Sequence, residues 1–283
     1  MDGAHLGPTQ LIQDLNGFFE GEIISFVQNE SIIKSRNLSD KRKNEYEVIE
    51  FNRKLYATIL EKKKENSFPI VIGGDSSVTI ASALASSKVY DDVGIILFSS
   101  HANYNTVDTT VTGNIHGVSL ASINGICKEF NEFFDGNVVQ PARTVVVGAR
   151  NIDNAEKEEI KYSGATVFST ENIKNESADE IVKKAFEIAN SRTKGVHVIF
   201  DLGIIDPDIA SGVSVPSVDG ITEEVTMQLC DSILEQFEHI IAFDLVEFNP
   251  LRDTGRKTEQ IAVNILAKVI RKAEDKDKED KKY

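Results

Sequence analysis

Short apolar runs alternate along the chain with longer stretches in which apolar residues recur every three or four positions. The runs at 22–26, 69–72, 94–98, 144–147, 166–168, 197–201 and 239–245 read as strands. Most are apolar throughout, as in Ile95-Ile96-Leu97-Phe98 and Val145-Val146-Val147, the pattern of parallel strands covered on both faces. Helices are expected at 41–64, 77–88, 155–162, 178–191, 222–236 and 257–273. Strand–helix alternation of this kind predicts an α/β fold with a doubly wound, mostly parallel sheet. No repeat or low-complexity linker divides the chain, so a single domain is expected over 1–270. The charged segment 271–283 has almost nothing to bury and reads as a frayed helix end or a disordered tail.

In such folds ligands bind beyond the carboxyl ends of the strands. Polar clusters fall at five of these ends: Gly73-Gly74-Asp75-Ser76-Ser77, residues 99–106, Arg150-Asn151-Ile152-Asp153, residues 201–206 and Glu247-Phe248-Asn249-Pro250. Their convergence would define a site. Asp75, just ahead of a helical run, suits an N-cap, with Ser76 opening the helix. Alternatively Asp75, His101 and Asp201 gather as three ligands of one divalent metal.

Composition narrows the classes. The net charge of −14 repels phosphate backbones and argues against nucleic-acid binding. The basic run at 61–65 is flanked by acids and reads as a solvated helix face. There is no run of eighteen apolar residues and no signal-like N-terminus, which argues against a membrane span or secretion. The only two cysteines, Cys127 and Cys230, are far apart and read as buried thiols in a reducing cytoplasm.

The order of motifs from Leu6 to Ala267 resembles the arginase (ureohydrolase) family. Gly7-Pro8-Thr9-Gln10-Leu11 is similar to the family's G-P-x-x-[LI], and Gly73-Gly74-Asp75-Ser76-Ser77 to G-G-D-H-S. Ser99-Ser100-His101-Ala102-Asn103-Tyr104-Asn105-Thr106 resembles D-A-H-x-D-x-N-T, and Thr112-Gly113-Asn114-Ile115-His116-Gly117 resembles S-G-N-x-H-G. Gly148-Ala149-Arg150-Asn151-Ile152-Asp153 follows G-x-R-D-x-D, and Phe200-Asp201-Leu202-Gly203-Ile204-Ile205-Asp206-Pro207 follows F-D-x-D-x-x-D-P. Asp244-Leu245-Val246-Glu247-Phe248-Asn249-Pro250, then Thr258, resembles the closing D-[LI]-V-E-x-N-P…T.

The resemblance implies a three-layer α/β/α fold and, in active relatives, two Mn²⁺ ions that activate a bridging water toward a guanidinium carbon. Carried over position by position, the ligands would be Ser76, Ser99, His101, Asn103, Asp201 and Gly203, where the family has His, Asp, His, Asp, Asp and Asp. Only His101 and Asp201 keep a ligand, so no cofactor is expected, or at most one divalent metal. Gly203 brings no side chain and is a residue type that tolerates φ > 0.

His116 matches the family's proton-shuttling His; read alone, it is a loop His bonded to nearby backbone. Glu247 matches the carboxylate that pairs with the guanidinium; read alone, Glu247 and Asn249 order the turn into Pro250. Asn105 and Thr112 match residues that grip a substrate α-carboxylate, and Asp153 one near the α-amino group. Val215 stands where a polar residue is common. A Ser nucleophile at Ser99 or Ser100 beside His101 is a further option, without a G-x-S-x-G elbow.

The expectation is an arginase-family protein that is catalytically silent and binds an arginine-like molecule or serves as an oligomer partner. The alternative is a weak or mononuclear-metal hydrolase of a guanidino or amidino C–N bond. Relatives imply a homo-oligomer, trimer or hexamer, or a mixed oligomer with an active homologue. The family's first strand would be absent, since Met1 lies close to the G-P motif. Its loss from the sheet interior would leave two open edges.

Overall fold

The computed structural model describes residues 3–26, 42–63, 67–135 and 137–280. Six strands form one sheet: β1 Ile70–Ile72, β2 Gly94–Phe98, β3 Thr144–Ala149, β4 Thr166–Ser169, β5 Val196–Asp201 and β6 Ile240–Val246. Their order is β1-β6-β5-β2-β3-β4, and every neighbouring pair is parallel.

The side-chain period of two in a strand explains the layers. On β2, Ile96 and Phe98 enter one buried cluster while Ile95 and Leu97 enter the other. β5 divides likewise, with Val198 and Phe200 on the first face and Ile199 on the second. On the first face pack α1 Gly7–Asp14, α6 Thr170–Asn175, α7 Ala178–Ala189, α8 Glu223–Glu235 and α9 Lys257–Asp280. On the second pack α2 Glu45–Lys63, α3 Thr79–Tyr90, α4 Ser119–Ile123 and α5 Asn154–Ser163. The fold is therefore a three-layer α/β/α sandwich, as expected.

Two polar residues cross the apolar core inside this frame. His197 on β5 and Asp244 on β6 are both fully buried, with Nε2 and Oδ2 3.1 Å apart. Ser86 meets His197 Nδ1 at 2.9 Å, and Ser82 Oγ donates to Asp244 Oδ1 at 2.8 Å, so α3 is stitched to the sheet centre. Burying such groups is tolerable only when they find partners.

Several expectations need correction. Residues 22–26 form no strand, and Ile23 and Ile24 are exposed. The described strands make one unbroken ladder with β1 at an edge, so the interior gap predicted for a missing strand does not occur among the described residues. The helix at 257–273 continues to Asp280, so a large part of the charged tail is helical. Ala273 packs on the core, Glu274 accepts from Glu20 N at 2.9 Å, and Lys276 lies 5.8 Å from the Phe237 ring centroid. Residues 281–283 and the end positions of the 41–64 helix lie outside the described residues. The G-P motif opens α1, where Gly7 lies against the Phe248 carbonyl: an added Cβ would come within 2.5 Å of that oxygen.

Both cysteines are buried free thiols. Among the described residues no helix is long and apolar enough to cross a membrane.

Candidate functional site

Between β2 and β5 the chain changes direction of travel across the sheet, and the strand ends diverge there into a crevice. The loops after β1, β2, β5 and β6 bring Ser76, His101, Asn103, Asp201, Gly203 and Glu247 to one recess, closed by His116, Val213 and Val215. All six positions that the family motifs align with metal ligands are thus near one another or joined by hydrogen bonds, with Ser99 one bond behind the wall.

Asp201 ends β5 and is fully committed to its neighbours. Ser99 Oγ donates to its Oδ2 at 2.5 Å and Gly203 N to its Oδ1 at 2.7 Å. Burial and the charge of Glu247 push its pKa up to about 7, against the pull of the Ser99 and Gly203 hydrogen bonds and of His116. Gly203 does not have a positive φ, contrary to the possibility raised by its residue type. What confines it is proximity, since an added Cβ would lie 2.9 Å from Asp201 Oδ1.

Glu247 is arranged differently. It has φ 73°, an uncommon value for a non-glycine residue, and its N–H donates to Gly74 O at 2.8 Å. Ser76 donates to Oε1 from N at 2.9 Å and from Oγ at 3.2 Å, and His116 Nδ1 lies 3.4 Å from the same oxygen. Burial opposes ionisation of Glu247, yet the His116 hydrogen bond and charge, with both Ser76 donors, hold its pKa below the ordinary value. Burial likewise disfavours charge on His116, but the bond to Glu247 and the charges of Glu247, Asp75 and Asp201 raise its pKa to about 9. His116 is therefore an imidazolium at neutral pH. Asn249, by contrast, orders the turn: its Oδ1 accepts from Leu251 N at 3.2 Å and its Nδ2 donates to Ser214 Oγ at 3.3 Å.

His101 has both ring nitrogens engaged, Nδ1 with Ser100 Oγ at 2.9 Å and Nε2 with Asn151 Nδ2 at 3.1 Å. Burial, then the nearby His116 charge, lowers its pKa to about 4, so it is neutral. With Nε2 accepting from Asn151, the proton sits on Nδ1 and is donated to Ser100. Ser99 and Ser100 are fully buried and do not line the recess, which leaves a nucleophilic serine no access to a substrate.

The expected substrate-gripping residues are not among those that line the recess. Asn105 Nδ2 donates to Asp153 Oδ2 at 3.1 Å and Thr109 Oγ1 donates to Asn105 Oδ1 at 3.0 Å. Thr112 is exposed and accepts from Asn114 N at 3.2 Å. Asp75 caps the short helix at Ser76–Val78, accepting from Ser77 N at 3.0 Å and Ser77 Oγ at 2.5 Å. Among the described residues no three His, Cys, Asp or Glu side chains are grouped to hold a metal ion.

Two supporting residues stand in a motif that assigned them no role. Arg150 turns beneath the rim and donates to main-chain carbonyls, including Gly203 at 3.1 Å, Ile204 at 3.0 Å and Ser217 at 2.7 Å. Its five donors tie the β5 loop to the 217–218 loop. Asn151, next in sequence, orients His101. An Arg-Asn pair at a strand end was visible, but its targets were not.

This is a three-layer α/β protein with a polar centre at the sheet's switch point. Comparisons with known proteins give the family. The description of the Arginase family matches residues 1–271. The arginase of Bacillus subtilis strain 168 is 31% identical over 279 residues, covering 95% of this chain and 93% of that protein. The arginase of Staphylococcus aureus strain MSSA476 is 30% identical over 276 residues, covering 93% and 90%. The crystal structure of Bacillus caldovelox arginase superposes with a TM-score of 0.83 at 26% identity, covering 95% of each chain. The chain belongs to the arginase family.

Proposed function

We propose that this chain is a metal-poor member of its family, one that binds an arginine-like small molecule, or a partner chain, without hydrolysing it. The observation that carries this reading is the state of the recess carboxylates. Two divalent ions bring four positive charges, and hard cations need anionic oxygen ligands. The recess has Asp201 and Glu247, and the imidazolium of His116 already answers Glu247. Ser76, Ser99, Asn103 and Gly203 offer hydroxyls, an amide and no side chain at the positions the family motifs assign to ligands. His101, a retained ligand position, has both nitrogens occupied by Ser100 and Asn151. This donor set does not fit the ion pair, and no step is derived through it.

The competing reading, a weak hydrolase with one metal or none, draws on His116 beside Glu247. An imidazolium has no free lone pair with which to take a proton from water at neutral pH, and nothing else in the recess generates hydroxide. Mass-spectrometric metal analysis with a urea-release assay in added Mn²⁺ decides between them. The expected result is substoichiometric manganese and no urea above background; stoichiometric metal with turnover sinks the silent reading. As an extension, the family's habit of assembling makes a homo-oligomer, or a mixed one with an active relative, the expected form. Light scattering with and without such a relative checks it.

A further inference from the structure

The recess is nearly filled by its own side chains, with about 10 Å³ left, room for about one water. A second cavity lies beside it, and His116 lines both. This cavity has about 50 Å³, room for a few waters, and its walls include Lys43, Asp75 and Asn114. Lys43 N donates to Gly113 O at 3.0 Å, which fastens the start of α2 to the loop that carries Asn114 and His116. Asp75 is fixed from the other side, its Oδ1 accepting from Ser77 N at 3.0 Å and from Ser77 Oγ at 2.5 Å. Those bonds leave Oδ2 uncommitted.

Opposite charges therefore line one small cavity, and they do not pair with each other. Among the described residues neither Lys43 nor Asp75 takes part in an ion pair. Both residues are half-buried. Their unpartnered ends stay within reach of solvent, unlike the sealed Glu247 Oε2 and Asn103 Nδ2. A metal ion or a simple amine would answer Asp75 but be repelled by Lys43 and the imidazolium of His116. A simple carboxylate or phosphate would answer Lys43 but be repelled by Asp75. A molecule that carries both charges answers both walls with charge-assisted hydrogen bonds. The smallest common group of that kind is an ammonium and a carboxylate on one carbon.

We propose that this cavity holds the head group of a free α-amino acid, its carboxylate at Lys43 and its ammonium at Asp75. The His116 ring nitrogen that Glu247 does not engage, and the Asn114 amide, are further donors in the same wall. This rests on the reading of the chain as a ligand binder and deepens it, since it places the charged head beside the recess and not in it.

The test is isothermal calorimetry on the full chain at pH 7 with glycine, acetate, methylammonium and L-arginine. Glycine carries both charges and has no side chain to enter the recess. It is expected to bind saturably, with Kd about 1 mM or tighter and at least about tenfold more tightly than acetate or methylammonium. A single-charge probe that binds as tightly as glycine overturns the proposal, and so does an absence of glycine binding. Arginine binding without glycine binding leaves the ligand-binding reading standing without this site; silence with all four overturns both. Lys43→Met keeps the aliphatic stem and the N–H bonded to Gly113, and Asp75→Asn keeps a good N-cap. Each should weaken glycine at least about tenfold, whereas Lys43→Arg should stay within about threefold of the unmodified chain. If the Met and Asn variants fold, by circular dichroism, and bind glycine as before, the proposal fails.

Discussion

Asp201 and Glu247 end neighbouring strands and enter the same recess, yet their surroundings are opposite. Both oxygens of Asp201 are held, one by Ser99 Oγ and one by Gly203 N. Glu247 crowds Ser76 N, Ser76 Oγ and His116 onto one oxygen and leaves the other bare. One acid has been folded into the scaffold, and the other is kept partly unanswered. A carboxylate with both oxygens bonded is structural, whereas one with an unanswered buried oxygen calls for an explanation. Two acids of one recess can therefore differ in role while both line it.

The largest expected effect comes from supplying, at four positions, the side chains that the family motifs have there. Ser76→His, Ser99→Asp, Asn103→Asp and Gly203→Asp together should raise bound manganese from trace to near stoichiometric, measured by mass spectrometry after dialysis. Ser99→Asp converts the donor that now ties Asp201 into a repelling carboxylate, which an ion must bridge. The strand ends are in place, and the tight point is Gly203, whose new Cβ must displace Asp201 Oδ1 from 2.9 Å. A folded variant that remains metal-free would show that the rim has repacked around Asp201 beyond four side chains.

Removing Asp201 comes next. Asp201→Ala strips the partners from buried Ser99 and Gly203 N, at about 1–3 kcal/mol per orphaned group. A stability loss on the order of 2–4 kcal/mol by urea denaturation at pH 7 is expected, with ligand affinity of any folded protein little changed. The sign is worth checking, because its raised pKa means that ionisation itself opposes folding. Its proton-linked stability is complete below the unfolded value near 3.8 and is lost as pH rises through about 7. Asp201→Asn should therefore flatten the pH dependence of Tm between roughly pH 4 and 7. A curve as steep as that of the unmodified chain would assign the slope to other groups.

Much of this was legible in the chain. Mostly apolar runs gave six of the seven expected strands, because strands buried on both faces leave no polar face to confuse the reading. The exception, residues 22–26, is apolar enough for a strand but finds no ladder, and strand formation depends on a partner more than on propensity. The motif order brought Ser76, His101, Asn103, Asp201, Gly203 and Glu247 to one rim before any coordinates. It could not tell which rim groups answer one another. Asn151 lies 50 residues from His101, and Asp153 lies 48 from Asn105, so only the folded chain pairs them. The His197–Asp244 pair left a signal that went unused: each is a polar residue interrupting an apolar strand run, and such a residue must find a buried partner.

The smallest effect is the most diagnostic for the Glu247 side. His116 has a raised pKa, so its pairing with Glu247 stabilises the fold fully below the unfolded value near 6.5 and ceases to do so as pH rises through about 9. His116→Gln keeps a donor but removes the charge, and should cost about 1–2 kcal/mol at pH 6.5. The difference from the unmodified chain should close to nearly nothing by pH 10, when both proteins present a neutral group to Glu247. A stability gap independent of pH would mean that His116 contributes by packing and not by charge. In that case the two acids would differ only in how many neighbours they have, and the contrast between a fully and a half-answered carboxylate would lose its electrostatic basis.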